Sequence, residues 1–171
     1  NELSFINVAN PAAPAMISEI ATNGSIRDFT ANSDKLYFVS EESDPDIWVY
    51  DISNPLSPAF VTNYDIPGTT EDLSLFIQES RTGSTAFNLL DGNEQNELIV
   101  IGATTTLSSS WYVRSRLNVG GQVNDITCVE GNLSFISTTN SGREFQIINI
   151  ANPDNITYYA SLNFPQIGSG I

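Results

Sequence analysis

The chain contains no histidine, a single cysteine and a single lysine. Without histidine it lacks the commonest general base and the commonest transition-metal ligand. Cys128 has no partner for an intramolecular disulfide, and its neighbours in "DITCVEG" indicate a small buried hydrophobe, not an activated thiol. The sequence also has no G-x-S-x-G elbow, no Gly-rich phosphate loop and no zinc pattern. These gaps favour a non-enzymatic protein, and we assign no catalytic residue.

Basic residues are scarce: 6 stand against 20 acidic ones, for a net charge of −14. Such a field repels phosphate backbones and anionic lipids, which argues against binding to nucleic acid or to an anionic membrane surface. The acids are spread along the chain, so a hydrated surface is the simpler interpretation and a cation-binding surface the alternative. No apolar run approaches the length of a membrane span, and we expect no membrane insertion by this segment.

One phrase recurs along the chain, an apolar run that ends in Asn-Pro. It stands in "FINVANPAAP", "WVYDISNPLSP" and "QIINIANPDN", which places Pro11, Pro55 and Pro153 in register. A copy without Asn-Pro, at 98–103, lies between the last two. The copies follow one another at about 44 to 51 residues, the period of a four-stranded unit.

A second element repeats in phase with the first. "GSIRDFTANSDKLYFVS" matches "GQVNDITCVEGNLSFIS", which sets Asp28 over Asp125 and Leu36 over Leu133. The copy between them keeps an acidic residue, Asp72, before its apolar run. One unit is therefore predicted to contain four strands, with the Asn-Pro turn between the third and the fourth. In the second unit these strands are predicted at 26–31, 35–40, 47–52 and 59–65.

The apolar runs are rich in Ile, Val, Phe, Tyr and Trp, are bounded by Gly, Pro, Asn and Asp, and lack helical periodicity. The run 47–52 is apolar on both alternate faces, which suits a strand covered on both sides by stacked sheets. We therefore predict an all-β, β-propeller-like array of four-stranded antiparallel blades, about three full blades plus a partial one. A β-sandwich is the alternative architecture.

The whole chain, 1–171, is predicted to be a single repeat domain. Its units lie at about 1–23 (partial), 24–68, 69–120 and 121–171. Because the first blade lacks two strands, we expect a segment of a longer chain; the alternative is that neighbouring subunits supply the missing strands.

The recurring phrase, Leu-x-Val/Ile-Ile/Tyr-Asp/Asn-Ile/Val-x-Asn-Pro-x-x-Pro, resembles the LVIVD repeat, a β-propeller repeat of bacterial and archaeal surface or secreted proteins. The resemblance covers essentially the whole chain, with Asn-Pro in three copies and the second proline in two. It implies an extracellular or cell-surface location. "REFQIINIANP" is similar to repeats found behind type IV pilin-like N-termini, which implies association with a pilus or filament.

Three aspartates are the candidate ligands of a metal ion. Asp28, Asp72 and Asp125 are predicted at the start of the first strand of each unit, the strand that lines the axial channel of a propeller. Three carboxylates around one axis would suit Ca²⁺, which prefers several oxygen ligands. The simpler interpretation is that these aspartates hydrogen-bond a neighbouring turn or blade, in which case the protein needs no cofactor.

These observations favour a non-enzymatic extracellular module for surface interaction, adhesion or pilus association, with a protein or glycan at a cell surface as its partner. Five aromatic side chains are candidates for stacking on sugars: Trp48, Trp111, Tyr112, Tyr158 and Tyr159. Their predicted strands favour packing inside the blades, with Tyr158 or Tyr159 left to the solvent. The alternative function is a propeller enzyme, such as a metal-dependent hydrolase, that uses the channel aspartates.

Overall fold

The computed structural model describes residues 2–22, 24–32, 34–40, 45–67, 72–79, 87–93, 97–103, 111–129 and 132–164. Within these ranges the chain is all-β, with fourteen strands and no helix. The strands are β1 (Glu2–Asn7), β2 (Ala15–Ala21), β3 (Ile26–Ala31), β4 (Lys35–Ser40), β5 (Ile47–Asp51), β6 (Ala59–Tyr64), β7 (Asp72–Glu79), β8 (Phe87–Asn93), β9 (Glu97–Ala103), β10 (Trp111–Asn118), β11 (Val123–Val129), β12 (Leu133–Thr138), β13 (Phe145–Asn149) and β14 (Thr157–Leu162).

The strands form four antiparallel sheets, each built from strands that follow one another in the chain. The first sheet contains β1 and β2 only, whereas the second (β3–β6), third (β7–β10) and fourth (β11–β14) contain four strands in chain order. The second sheet agrees with the predicted strands to within one residue. The all-β class and the repeated four-stranded antiparallel unit are therefore confirmed.

The sheets pack against one another in chain order. The first strands of the four-stranded sheets contact each other in succession, β3 against β7 and β7 against β11. Strand β4 is buried along its whole length, and Ile47 and Val49 of β5 are buried with it, as expected for strands covered on both faces. The core between the second and third sheets contains Tyr37, Val39, Ile47, Val49, Ile66, Leu75, Ile77, Ile99, Ile101 and Trp111. The core between the third and fourth sheets contains Leu98, Val100, Val119, Val123, Ile126, Ile136, Ile148, Ile150 and Ile156.

β-Bulges recur at the same two places in the sheets. In the first strand of each four-stranded sheet one residue is unpaired; these residues are Arg27, Leu73 and Asn124. In the last strand of every sheet, which we call the outer strand, another residue is unpaired; these residues are Ile17, Val61, Arg114 and Tyr159. Because a bulge marks a fixed place in the ladder, the sheets can be matched residue by residue.

This register corrects two sequence alignments. Asp72 lies at the place of Ile26 and Val123, and the place of Asp28 and Asp125 in the third sheet belongs to Ser74. Likewise, Lys35 and not Leu36 corresponds to Leu133, since both pair with the last residue of the following strand. A slip of one residue moves every side chain of a strand to the other face of the sheet, so the correction exchanges the faces of the second strand.

Candidate functional site

Asp28 lies in β3, where it was predicted, and connects two sheets. Its Oδ1 accepts a hydrogen bond from the Phe29 N–H, and its Oδ2 accepts one from the Leu75 N–H of β7, both at 2.7 Å. Thr30 Oγ1 accepts a further bond from the Ile77 N–H at 3.4 Å. Burial raises the pKa of Asp28, the hydrogen bonds from Leu75 and Phe29 oppose this, and the charge of Asp125 raises the pKa further. The carboxylate thus binds the backbone of the neighbouring sheet, as the simpler interpretation predicts.

The same place in the other two sheets is occupied by Asp125 and Ser74. Asp125 Oδ1 accepts a hydrogen bond from the Ile126 N–H at 2.8 Å, the counterpart of the bond between Asp28 and Phe29. Ser74 is buried, and its Oγ lies 3.4 Å from the carbonyl oxygen of Val123 in β11, to which it donates. At both described interfaces between four-stranded sheets, the side chain at this place therefore bonds to the first strand of the following sheet.

The structure brings together only part of the predicted calcium site. Among the described residues, no group of three or more His, Cys, Asp and Glu side chains could hold a metal ion. The side chain of Asp72 lies outside the described residues, and its backbone lies two residues before the place shared by Asp28 and Asp125. A Ca²⁺ ion takes six to eight oxygen ligands. The calcium site stays a prediction that needs ligands beyond Asp28 and Asp125.

A second set of acidic residues was not predicted as a site. In each four-stranded sheet it joins the start of the third strand to the chain near the end of the fourth strand. Asp46 and Glu144 are buried just before the third strand of their sheets. Asp46 Oδ2 accepts a hydrogen bond from the Ile66 N–H, and Glu144 Oε2 accepts one from the Phe164 N–H at 2.9 Å. In the third sheet Glu97 pairs instead with Arg116, at 2.8 Å.

A sequence signal for this set exists. An acidic residue directly precedes the apolar run of the third strand in every copy of the repeat; these residues are Glu2, Asp46, Glu97 and Glu144. The described members fix the ends of the sheets and do not converge on a cavity.

The Asn-Pro phrase folds into two successive side-chain-capped turns. Asp51 Oδ1 accepts a hydrogen bond from the Ser53 N–H at 2.9 Å, and Asn54 Oδ1 accepts one from the Leu56 N–H at 3.2 Å. The Ser57 N–H then closes a β-turn onto the carbonyl of Asn54, with proline in its favoured second position. Both capping bonds recur in the other two copies, where the acceptors are Asn7 and Asn10 in one and Asn149 and Asn152 in the other. The two capping residues therefore keep the same spacing in each copy because each side chain must meet the backbone N–H two residues further on.

The turns of the second and fourth sheets also join these sheets to the preceding ones. Ser115 Oγ of the third sheet donates to the Pro153 carbonyl at 2.7 Å, and Ser18 Oγ of the first sheet donates to the Pro55 carbonyl. Beside the first contact, Arg114 forms a two-pronged ion pair with Asp154, at 2.7 and 2.8 Å. The hydrogen bond from Arg114 lowers the pKa of Asp154. The repeated prolines thus mark an inter-sheet connection.

The aromatic candidates divide between core and surface. Trp111 is buried against Tyr37 and Tyr64, with ring centroids 6.1 and 5.9 Å away, so its predicted packing is confirmed. Trp48 is half-buried and stacks on Phe38 at 6.2 Å. Tyr112 is exposed, which contradicts its predicted burial. Its place on an outer strand explains the difference, because a strand at the edge of a sheet has a neighbouring strand on one side only and its side chains are less covered.

The remaining candidates, Tyr158 and Tyr159, are both exposed on β14, whereas only one of the two was expected at the surface. The guanidinium of Arg143 lies 5.5 Å from the ring centre of Tyr158, within the range of a cation–π contact.

No protein-family model matches the chain, and a search of curated proteins found no match. In the described part of the chain there is no helix that could span a membrane. What the chain does is accordingly inferred from its own repeated contacts and exposed surface.

Proposed function

We propose that the four sheets are blades of a β-propeller-like array and that the chain is a non-enzymatic module for interaction at a cell surface. The successive contacts of β3, β7 and β11 support the array, because blades stacked around an axis bring their first strands together. The recurrence of the same side-chain contacts from sheet to sheet supports it as well. The resemblance to the LVIVD repeat supports an extracellular setting and an association with surface filaments.

The observation that carries this function is that the last strand of each four-stranded sheet exposes aromatic side chains. We call them the outer aromatic residues; they are Phe60, Tyr112, Tyr158 and Tyr159, which are exposed by 53%, 47%, 45% and 64%. Aromatic residues are enriched where proteins meet partners, and tyrosine offers an apolar face together with a hydroxyl. These side chains are therefore suited to stacking on a sugar ring or packing against a protein.

The placement of the acidic residues supports a non-enzymatic role. Asp28, Asp46 and Glu144 each accept a backbone hydrogen bond that holds two strands or two sheets together. Asp154 is paired with Arg114 across a sheet interface. Carboxylates committed to such contacts stabilise the fold and are poorly placed to act as a general acid or base.

One observation favours the alternative, a metal-dependent hydrolase. Asp28 and Asp125 are close enough for the charge of one to raise the pKa of the other, an arrangement also found in catalytic carboxylate pairs. The two functions predict different consequences for substitution of Asp28.

A retention assay separates the two functions. The chain is incubated with chitin, cellulose and peptidoglycan particles and on plates coated with collagen or fibronectin, and the bound fraction is measured. We expect retention on at least one matrix, at least tenfold weaker for a Tyr112→Ser, Tyr158→Ser double variant and unchanged for Thr157→Ala, an exposed control on the same strand as Tyr158. Retention that is unchanged in the double variant contradicts binding through the outer aromatic residues. Release of soluble sugar that needs Ca²⁺ and is lost in Asp28→Ala establishes the hydrolase.

A further inference from the structure

The outward face of the fourth sheet consists of apolar residues whose counterparts in the second sheet are covered by a neighbouring sheet. Phe135, Phe145 and Ile147 are half-buried, and Phe164 is 46% exposed; we call this group the trailing face. By register the trailing face corresponds to four residues of the second sheet that are covered by the third sheet and are each 0% exposed: Tyr37, Ile47, Val49 and Ile66.

The outward face of the first sheet shows the complementary pattern. Ile6, Val8 and Met16 are exposed by 56%, 65% and 64%; we call them the leading face. In the fourth sheet Ile6 and Val8 correspond to Ile148 and Ile150, which are 0% and 3% exposed against the third sheet. The two ends of the array therefore present the two halves of one repeated interface.

We propose that the trailing face of one copy of the chain docks on the leading face of a second copy, head to tail. Such a contact continues the interface between the third and fourth sheets, where Val119 packs in one cluster with Ile148 and Ile150. Phe164 occupies the place of Val119, and the leading face supplies Ile6 and Val8 at the places of Ile148 and Ile150. A copy seated in this way covers apolar side chains at both ends of the array.

The Asn-Pro turn of the first sheet fits the same contact. In the chain, Arg114 at the outer bulge of the third sheet pairs with Asp154 in the next turn. The corresponding residue of the fourth sheet is Tyr159, 64% exposed, and the corresponding turn residue of the first sheet is Ala12, also exposed. Across two copies, a large aromatic side chain thus meets a small one and no charge is buried, as in the apolar centre of a protein interface.

Closure follows from the number of sheets. A head-to-tail contact generates a ring if its rotation closes and a filament if it does not. The described residues of two copies form eight sheets, and propellers close with four to eight. The geometry therefore points to a closed dimer, in which both leading and both trailing faces are covered.

Sedimentation velocity of the whole chain between 1 and 200 µM tests this proposal. We expect a species of twice the 18.6 kDa chain mass, and tighter association at 500 mM than at 20 mM NaCl, because salt screens the repulsion between copies of charge −14. Ile6→Asp on the leading face and Phe164→Asp on the trailing face should each weaken dimerisation at least 100-fold. Leu56→Asp, at an exposed apolar residue on neither face, is the control and should dimerise normally.

Circular dichroism establishes that each variant is folded, and a mixture of the two face variants then tests polarity. A head-to-tail dimer predicts that the mixture recovers association, since one intact leading face meets one intact trailing face. A monomer at 200 µM in high salt, an assembly larger than a dimer, or a mixture that stays monomeric overturns the proposal. The proposal depends on the stacking of the sheets and not on the surface partner, so loss of self-association and loss of matrix binding are separate results.

Discussion

Replacing Asp28 with alanine tests whether this carboxylate joins two sheets or serves a metal ion. The substitution removes the acceptor of the Leu75 N–H at the interface and of the Phe29 N–H within β3. Loss of a charge-assisted bond that leaves a half-buried donor unpaired costs about 1–3 kcal/mol. Relief of the unfavourable proximity to Asp125 offsets part of this. For a chain of this size the melting temperature should fall by about 2–4 °C per kcal/mol.

The pH dependence of this loss has a definite sign. Burial raises the pKa of Asp28, so between the ordinary and the raised value the folded chain binds more protons than the unfolded chain. The contribution of Asp28 to the free energy of unfolding therefore decreases as the pH rises through that window. The alanine variant lacks this titration, so the substitution should cost more at pH 4 than at pH 7.

Thermal unfolding followed by circular dichroism at both pH values, with and without 1 mM Ca²⁺, measures these effects. Asp125→Ala is the matched control, because it removes the neighbouring charge and leaves both bonds of Asp28 in place. An unchanged melting temperature in Asp28→Ala would refute the inter-sheet role. A Ca²⁺-dependent rise that the wild-type chain shows and the variant lacks would assign the carboxylate to a metal site instead.

Four further substitutions or measurements check the rest of the structure. Arg114→Ala should lower the urea midpoint slightly, and the loss should vanish in 1 M NaCl and shrink as the pH falls, since the lowered pKa of Asp154 makes the pair contribute only while that carboxylate is ionised. Asn152→Ala should cost about 0.5–1.5 kcal/mol in urea unfolding, and no loss would mean that its capping bond is dispensable. Ile66→Ala should cost about 2–5 kcal/mol by leaving a cavity between the second and third sheets; a cost below about 1 kcal/mol would show that the interface is loose. Burial raises the pKa of Cys128 to about 11, so iodoacetamide at pH 8 should react on the order of 100-fold more slowly with the folded chain than with the unfolded chain in urea, and equal rates would contradict that burial.

The positions of the strands could be predicted from the sequence because residue composition and turn residues indicate the same strand ends. In the second sheet the β-branched and aromatic runs end at Asn, Asp, Gly and Pro, and the structure ends its strands within one residue of the predicted bounds. The period of the Asn-Pro phrase likewise identified one four-stranded sheet per full unit. These features depend on neighbours in the chain.

The register of the strands was harder to predict, because it depends on which residues pair between neighbouring strands. Asp72 was matched to Asp28 and Asp125 by residue type, but the bulge at Leu73 gives that place to Ser74. The aspartate carboxylate accepts from an N–H of the next sheet's first strand, whereas the serine hydroxyl donates to a carbonyl of the next sheet's first strand, so this place bonds to the following sheet in both cases although the residue type and the backbone partner change. Matching Asp72 by residue type therefore predicted a ring of three carboxylates. In the structure, the place shared by the three sheets holds the carboxylates of Asp28 and Asp125 and the hydroxyl of Ser74.

The outer bulge of each sheet has a consequence for how such a repeat can diversify. Its residue is Ile17, Val61, Arg114 or Tyr159 in the four sheets, an unusually wide range of size and charge for one structural place. A bulged residue makes no ladder pair, so its replacement leaves the pairing on either side unchanged. Repeated units can therefore differ in lateral chemistry at this position, with an ion pair in one sheet and an exposed tyrosine in another, while the strands pair in the same way. For protein engineers it is the first position to randomise.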